Sequence, residues 1–514
     1  MPVRKNVWEL GSDWAEPVLW YARGVAALQA RPIREPTSWR FYAAIHGIHP
    51  EIWQQLGYLD LSEPAPSRDL IRRFWQQCQH GSWYFLPWHR GYVLAFEATV
   101  RAAVVELGGP ADWALPYWNY FKAGQNGLPP AFASRDWPDG QGNNPLFVPQ
   151  RYGPNGDGNV FVPLEAVNLD AMSDPDFTGV DSGGSPGFGG VDTGFSHGGQ
   201  VHGRLETQPH DWVHGLVGGG NDEAPFGGLM SNPDTAGLDP IFWLHHGNID
   251  RLWQVWRENP AAHVDPTDPS WVNGPAAVGE REFAMPMPDG TAWAFTPGQV
   301  ADLANLDYSY DDVSPQSVDA LPGAGQRLAA RAASSKASSP AGAAGASPAM
   351  ATRKSTRLVG ATRGAVPVHG AEVHASVELS AGADRRASAG LLGADPRPER
   401  LFLNLENIRG SSDAAAFRVY VGLPPGARPE QHPERLAGNV ALFGVRKASL
   451  PTDEHGGQGL TFVLEITRLM AAITRGGLGE AGKALGVRLV PVRPITPSAQ
   501  VSIGRISISR QSDE

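Results

Sequence analysis

Two hydrophobic periods divide the chain, and the division lies near residue 366. Before it, apolar side chains recur at three- and four-residue intervals, which is the spacing of an amphipathic helix. Helices are predicted over 15–29, 38–47, 67–80, 89–107 and 239–256. Ser38 stands where a side-chain oxygen can cap the second of them. The first part of the chain is therefore predicted to be mainly helical.

The stretch from about 121 to 203 shows neither period and is rich in Gly, Pro, Asn and Asp. Such a composition predicts loops. Loops of this length are uncommon in a compact domain unless they serve a function. We therefore expect functional loops beside the helices.

After residue 366 the period changes to two, in short runs that are separated by turn residues. The runs cover 373–380, 400–408, 416–423, 439–446, 460–469, 487–494 and 500–509. About seven short strands of this kind are typical of a β-sandwich. No run in this part has the pattern of a catalytic site.

A low-complexity segment separates the two parts. Residues 329–352 consist mainly of Ala, Ser, Gly and Pro, which cannot build a packed core. The range 320–371 has seven basic residues and no acidic one, so a docking arm for an acidic surface is the alternative to a flexible linker. We predict a helical domain over 1–312, a linker over 313–365 and a β-rich domain over 366–514.

Composition and charge argue against several classes of protein. The 514 residues include 42 Lys and Arg against 53 Asp and Glu, a net charge of −11, which argues against nucleic-acid binding. The sequence has no run of 18 apolar residues and no apolar signal core near its start. We expect no membrane partner and a cytoplasmic location, with export by a partner protein left open. Cys78 is the sole cysteine, which excludes an intrachain disulfide.

Histidines of the first part carry the candidate chemistry. They fall into two groups of three: His46, His80 and His89, then His210, His214 and His246. Neutral imidazole is a good ligand for copper, zinc or iron. Few carboxylates stand at ligand spacing among them, which argues against a carboxylate-rich di-iron site. Asp211 takes the place of the glutamate in a metalloprotease HExxH motif, so that class is not favoured.

Two segments around these histidines resemble the copper signatures of one family. CQHGSWYFLPWHRGYVLAFE, Cys78–Glu97, resembles the first-copper signature of tyrosinases, catechol oxidases and molluscan haemocyanins, and DPIFWLHHGNID, Asp239–Asp250, resembles the second. Arg4 and the segment Tyr308–Tyr310 resemble the arginine and Tyr-x-Tyr motif that close the family's core domain. The resemblance implies a mainly α core with long loops, a four-helix bundle that holds a dinuclear copper site, joined to a C-terminal β-sandwich-like domain.

The resemblance also implies the ligands of two copper ions, with dioxygen as co-substrate. The first ion is assigned His46, His80 and His89, and the second is assigned His210, His214 and His246. Chemistry alone does not choose between His245 and His246. The family spacing selects His246 and leaves His245 to pack or hydrogen-bond behind it. His46 is preferred to His49 because the first ligand of the fungal and molluscan relatives lies in a His-Gly pair.

Further residues around the ligands receive roles from the same resemblance. Cys78 lies in a Cys-x-His segment and is expected to form a thioether to His80; a buried thiol is the alternative. Asp250 is expected to accept a hydrogen bond that helps to fix its helix. His197 and His202, which lie beside glycines in a predicted loop, are expected to be solvated.

The implied activity is copper-dependent oxidation of phenols: o-hydroxylation of monophenols, oxidation of o-diphenols to o-quinones, or both. Glu206 stands where the family places a water-holding glutamate, and its alternative role is that of an acid at a helix N-terminus. Asp211 follows His210 where good hydroxylases often carry Asn, so diphenol oxidation is the firmer expectation. Pro233 is expected to gate the substrate ring.

Two other functions share these residues. A reversible dioxygen carrier of the haemocyanin type uses the same ligands, and an o-aminophenol oxidase performs the same chemistry on a different ring.

The β-rich domain resembles the domains that cover the copper site in this family and keep the enzyme latent, with Phe417, Tyr420 or Phe443 as the candidate plug; assembly or stability is its alternative role. A small phenol or catechol is the expected partner, while a homo-oligomer and a copper-delivery protein stay open.

Overall fold

The computed structural model describes residues 1–513 except 141, 222–223, 225, 259–262, 315–353, 381–398, 452–456 and 476–483. The low-complexity segment 329–352 lies outside the described residues. Among those that are described, no helix is both long and apolar enough to cross a membrane.

The first part of the chain is mainly helical, as its hydrophobic period predicts. Its helices are α1 Glu16–Ala30, α2 Trp39–His46, α3 Pro50–Gln55, α4 Arg68–Phe74, α5 Phe85–Glu106, α6 Pro130–Ala133, α7 Trp212–Gly218, α8 Pro240–Arg257, α9 Pro269–Asn273 and α10 Pro297–Val300. Its short strands are β1 Val3–Arg4, β2 Thr178–Gly179, β3 Gly190–Val191, β4 Phe283–Pro286, β5 Ala292–Phe295 and β6 Ser309–Tyr310. Between 121 and 203 the chain forms loops with only short elements.

Side-chain caps fix where two of the site-bearing helices begin. The Ser38 hydroxyl accepts the Phe41 N–H at 3.2 Å at the start of α2, and the Asp239 carboxylate accepts the Ile241 N–H at 3.0 Å at the start of α8. Both satisfy an amide that the helix itself leaves unpaired. Because α8 is buried along almost its whole length, it lies at the centre of the helical core, where it packs against α5.

The two ends of the helical part meet beneath α8. Strand β1 pairs in parallel with β6, so that Arg4 lies opposite Tyr310. Asp250 of α8 accepts hydrogen bonds from Arg4 Nη1 at 3.0 Å and from the hydroxyls of Tyr308 and Tyr310, each at 2.6 Å. It also pairs with Arg90 of α5. This buried carboxylate therefore ties α5, α8 and both chain segments together.

The second part is one antiparallel sheet that is nearly closed. Its strands are β7 Lys354–Ala361, β8 Val366–Pro367, β9 Val373–Leu379, β10 Arg400–Arg409, β11 Ala416–Val421, β12 Leu436–Ala441, β13 Leu460–Glu465, β14 Ala484–Pro491 and β15 Ser502–Asp513. Their order is β12-β11-β14-β9-β7-β15-β10-β13, with β8 on β15. Gly438 of β12 faces the Leu464 side chain of β13, so the two end strands meet around an apolar core.

All seven predicted runs overlap a strand, and the described residues form two further strands, β7 and β8. Strand β7 lies inside the range 313–365 that we predicted as linker, and it is held by pairing with β15. Strands β12, β13 and β14 also end three to five residues before the predicted runs do. The chain turns after Ala441 into helix α11 Val445–Ala448, and after Glu465 into helix α12 Thr467–Arg475.

Candidate metal centre

The first histidine set consists of His46, His80 and His89. Helix α2 ends at His46 and α5 carries His89, while His80 lies in the segment that leads into α5. All three are buried, and each offers a nitrogen within 4.8 Å of the others'. The structure thus brings together the three residues assigned to the first copper ion, and His49 lies outside the set.

The second histidine set consists of His210, His214 and His246. A segment with a kink at Gln208, Glu206–Asp211, leads into α7 and places His210 one turn before His214, and α8 supplies His246. These residues and His245 have ring nitrogens within 4.8 Å of one another. The rings of His89 and His246 stack with centroids 4.5 Å apart, so the two sets adjoin.

The six imidazoles present unpaired nitrogens to one another. Nε2 of His46, His80, His89 and His210 is buried without a hydrogen-bond partner among the described residues, and Nε2 of His214 lies 3.3 Å from Nε2 of His246. Burial lowers the pKa of all six side chains, to about 4 for His46. Neutral imidazoles with buried unpaired nitrogens are the donors that a copper ion requires. The residues present therefore fit a pair of such ions.

The opposite ring nitrogen, Nδ1, orients most of these imidazoles. It donates to a backbone carbonyl in three of them: His46 to Pro233 at 2.8 Å, His89 to Phe85 at 2.8 Å and His214 to Met230 at 2.7 Å. Such contacts fix the tautomer and leave Nε2 for a metal. His210 differs, because its Nδ1 lies 2.9 Å from a carboxylate oxygen of Asp211.

His245 lies behind the second set. Neither of its ring nitrogens has a hydrogen bond among the described residues, and burial lowers its pKa to about 3. Its ring packs against those of Tyr120 and His210, with centroids 5.7 and 5.4 Å away. The structure gives His245 no hydrogen bond among the described residues and places it within ligand distance of the second set, so the choice of His246 over His245 stays a prediction.

Cys78 is buried between two imidazoles. Its Sγ lies 3.4 Å from Nδ1 of His80 and 3.1 Å from Nδ1 of His197. His197 is held there because the chain around it pairs with the backbone of His80. The thioether from Cys78 to His80 stays a prediction, and the two groups are in contact.

Glu206, Asp211 and His202 form a third buried cluster. Both Glu206 carboxylate oxygens accept the Gly81 N–H, at 2.9 and 3.0 Å, so this acid reaches across to the first histidine set. Nδ1 of His202 lies 2.7 Å from Asp211 Oδ2 and 3.7 Å from Glu206 Oε1. The expectation that His202 is solvated was wrong: only 2% of it is exposed, and His197 is 9% exposed.

A turn of the β-rich domain covers both histidine sets. Phe443 follows β12, and its ring stacks on His214 with centroids 4.3 Å apart. It also meets the rings of His80 and His210 edge-on, at 5.5 and 5.7 Å. The cavity that remains beside Phe443 and Pro233 is about 20 Å³, which is room for about one water molecule.

Of the three aromatic residues considered as a plug, only Phe443 reaches the site. Phe417 belongs to the core of the β-rich domain, and Tyr420 lies on the same strand, β11. No local sequence signal separates the three, because the difference arises from the turn that follows β12. Pro233, the predicted gate, lines the covered cavity, and its carbonyl orients His46.

Two groups of ion pairs attach the β-rich domain around this cover. Arg446 of α11 binds Asp234, next to Pro233, with 2.7 Å between Nη2 and Oδ2. The backbone N–H of Arg446 also donates to Asp413 at 2.9 Å.

The other group lies between β10, β13 and the loops of the helical part. Arg204 and Arg400 each contact both Asp174 and Glu465, at distances of 2.9 to 3.2 Å. Each arginine therefore bridges an acid of its own part to an acid of the other part.

Comparison with known proteins gives matches over both parts of the chain. A family model described as the common central domain of tyrosinase matches residues 36–181 and 178–259. A second model, described as a domain of unknown function, matches residues 355–511. Tyrosinase HcTyr1 from Hahella sp. (strain CCB-MM4) is 32% identical over 535 aligned positions, which cover 100% of both chains. Aureusidin synthase from Antirrhinum majus is 26% identical over 49% of this chain and 43% of its own.

Solved structures share the arrangement of a helical core with a β-rich C-terminal domain. Latent apple tyrosinase is 21% identical and superposes with a TM-score of 0.58, over 99% of this chain and 97% of that one. Latent aurone synthase, a polyphenol oxidase, is 20% identical with a TM-score of 0.57, over 100% of this chain and 90% of that one. These likenesses establish the fold of both parts.

Proposed function

We propose a function from one premise: this chain belongs to the tyrosinase family. Members of the family are dicopper enzymes, and copper-dependent oxidation of phenols is the activity that membership gives to this chain. The finer proposal is that the first and second histidine sets each hold one copper ion, and that the β-rich domain keeps the centre latent.

The observation that carries the proposal is the set of six neutral imidazoles beneath Phe443. Their Nε2 atoms are unpaired or face one another in one buried volume. When bound there, the copper pair supplies dioxygen binding and accepts electrons from the phenol. The protein's own groups fix the rings, exclude water and orient the substrate.

Glu206 is proposed to hold the water that takes the phenol proton. Burial raises its pKa above the usual range, which His202 opposes. The Gly81 N–H fixes its carboxylate beside the first histidine set. A raised pKa makes the ionised carboxylate a stronger proton acceptor, so the position and the chemistry of Glu206 agree with this role.

Latency follows from the position of Phe443. Its ring occupies the space over His214 that a substrate ring needs, and the remaining cavity of about 20 Å³ is too small for a phenol. The apple tyrosinase and the aurone synthase whose structures this chain resembles are also described as latent enzymes. We infer that the β-rich domain must move away or be removed before turnover.

The test combines copper content with rates on 4-methylphenol and 4-methylcatechol. The copper-loaded chain is assayed before and after limited proteolysis between the two parts. We expect two copper ions per chain and slow turnover of both substrates that rises sharply after cleavage. A fully loaded chain with equal rates before and after cleavage would contradict latency, and a cleaved, loaded chain that oxidises neither substrate would contradict the proposed activity.

A further inference from the structure

His202 and Asp211 form a buried pair, and Asp211 also contacts His210 of the second histidine set. Asp211 places one carboxylate oxygen 2.7 Å from Nδ1 of His202 and the other 2.9 Å from Nδ1 of His210. His202 is 2% exposed, and the other two are fully buried. One carboxylate thus bridges two imidazoles, of which only His210 belongs to the second histidine set.

This bridge makes His210 chemically unlike the other five histidines. His46, His89 and His214 donate Nδ1–H to neutral backbone carbonyls. Nδ1 of His80 contacts the sulfur of Cys78, and Nδ1 of His246 has no partner among the described residues. A carboxylate acceptor strengthens a hydrogen bond and raises the basicity of the imidazole that donates to it.

The groups around His202 favour its charged form. Two acidic side chains flank its ring: Nδ1 lies 2.7 Å from Asp211 Oδ2 and 3.7 Å from Glu206 Oε1, and together they raise the pKa of His202 against the effect of burial. Phe462 of β13 meets the His202 ring edge-on, with centroids 5.5 Å apart. His202 therefore compensates part of the Asp211 charge and also fixes the direction of that carboxylate.

We propose that His202 and Asp211 are positioning residues that set the reduction potential of the second copper ion through the Nδ1–H of His210. The proposal rests on the proposed function, because it takes copper as the metal. Asp211 makes His210 the stronger donor, which stabilises the cupric more than the cuprous ion and lowers the potential. His202 limits that effect by compensating the carboxylate.

Two substitutions are expected to shift the potential in opposite directions. Asp211→Asn keeps an oxygen for His210 but removes the charge, so the potential rises. His202→Gln keeps a donor for Asp211 but removes the compensating charge, so the potential falls. A purely structural role for the pair would not produce opposite signs.

The measurement is an anaerobic reductive titration of the full, copper-loaded chain with redox mediators. For Asp211→Asn we expect cupric affinity to fall roughly tenfold relative to cuprous affinity, which is a rise of about 59 mV for a one-electron couple. His202→Gln should give a smaller negative shift. Asp265→Asn is the matched control, because Asp265 contacts Trp253 and Arg257 instead of a histidine of either set.

An unchanged or lowered potential in Asp211→Asn would overturn the proposal, as would a raised one in His202→Gln. If one variant does not bind copper, the direction of the potential shift in the other variant decides the test. Failure of the native chain to bind two copper ions would instead overturn the proposed function. Native copper content and turnover with an unmoved potential in Asp211→Asn would overturn this inference alone.

Discussion

The helical part and the β-rich domain bury very different side chains. The helical part buries a carboxylate hub at Asp250, the pair His202 and Asp211, and six imidazoles that face one another. Among the described residues of the β-rich domain, the one buried charged residue is Asp413, which faces Arg446 at the boundary. The domain otherwise buries apolar side chains and a few uncharged polar ones: Asn404, Asn439, Ser507, Ser509 and Gln511.

The two parts therefore differ in role: the helical part supplies the groups of the site, and the β-rich domain covers them. Among the described residues, every histidine and carboxylate grouped at the site comes from the helical part. The β-rich domain adds the ring of Phe443 over the site and Lys447 to the lining of the covered cavity, and ion pairs at its boundary hold this turn in place. Changes in the helical part should therefore remove metal or activity, whereas changes at the boundary should release activity.

The largest effect is expected from the helical part, in the adjacent pair His245 and His246. His246→Ala should reduce copper content from two ions to about one per chain and take phenol oxidation below detection, because a ligand of the second set is lost. His245→Ala is the matched control and should keep both ions. Copper analysis of the two purified variants provides the test, and loss of an ion in His245→Ala alone would reverse the assignment.

The next effect is expected at the boundary, from Arg446→Gln. The ion pair with Asp234 is largely buried, so its loss should weaken closure by about 1–2 kcal/mol and increase the open fraction roughly 5–30-fold. The rate of diphenol oxidation by the uncleaved chain should rise by a similar factor. Arg488→Gln is the matched control, since Arg488 binds Glu372 within the β-rich domain. Equal rates in the two variants would show that the Arg446 contact does not hold the cover.

A smaller effect is expected at acid pH from the second group of ion pairs at the boundary. This group consists of Arg204, Arg400, Asp174 and Glu465. Burial would raise the pKa of Glu465, but Arg204 and Arg400 outweigh burial and lower the pKa from 4.5 to about 2. A lowered folded-state pKa adds stability above pH 4.5, at most about 3 kcal/mol, and that stability is lost as the pH falls toward 2.

Glu465→Gln should therefore lower the unfolding temperature at neutral pH and flatten its decrease between pH 4.5 and 2. Calorimetry across this range measures both changes. Glu406→Gln is the control, because Glu406 pairs with Arg505 inside the β-rich domain. If the unfolding temperature of Glu465→Gln falls between pH 4.5 and 2 as much as that of the native chain, this cluster does not help to hold the β-rich domain closed.

What the sequence predicts well depends on local signals. The apolar period predicts a helix over 239–256, and the structure has it at Pro240–Arg257, capped by Asp239. His210 and His214 are four residues apart, a spacing that predicts one shared helix face. Such features depend on residues within one or two turns, so the sequence alone carries them.

The surroundings of His202 and Phe443 could not be predicted in this way. His202 reads as a loop histidine between glycines, and its burial depends on Phe462, 260 positions along the chain. Phe443 is one of several aromatic residues in similar strands, and the turn after Ala441 alone directs it to His214. Both depend on how the two parts pack, which no local pattern encodes.

The central claim is that the helical part is a complete copper centre covered by one side chain of the β-rich domain. Its most direct test is the rate of diphenol oxidation by uncleaved Phe443→Ala at copper content equal to that of the native chain. Phe443→Leu is the matched control, because it keeps an apolar side chain of similar size over His214. Phe443→Ala removes side-chain packing worth several kcal/mol, whereas Phe443→Leu keeps most of that apolar volume.

We predict that Phe443→Ala oxidises 4-methylcatechol at least about tenfold faster than the native chain, equivalent to about 1.4 kcal/mol. Phe443→Leu should remain close to the native rate. A fully copper-loaded Phe443→Ala chain that is no faster than the native chain would contradict the account.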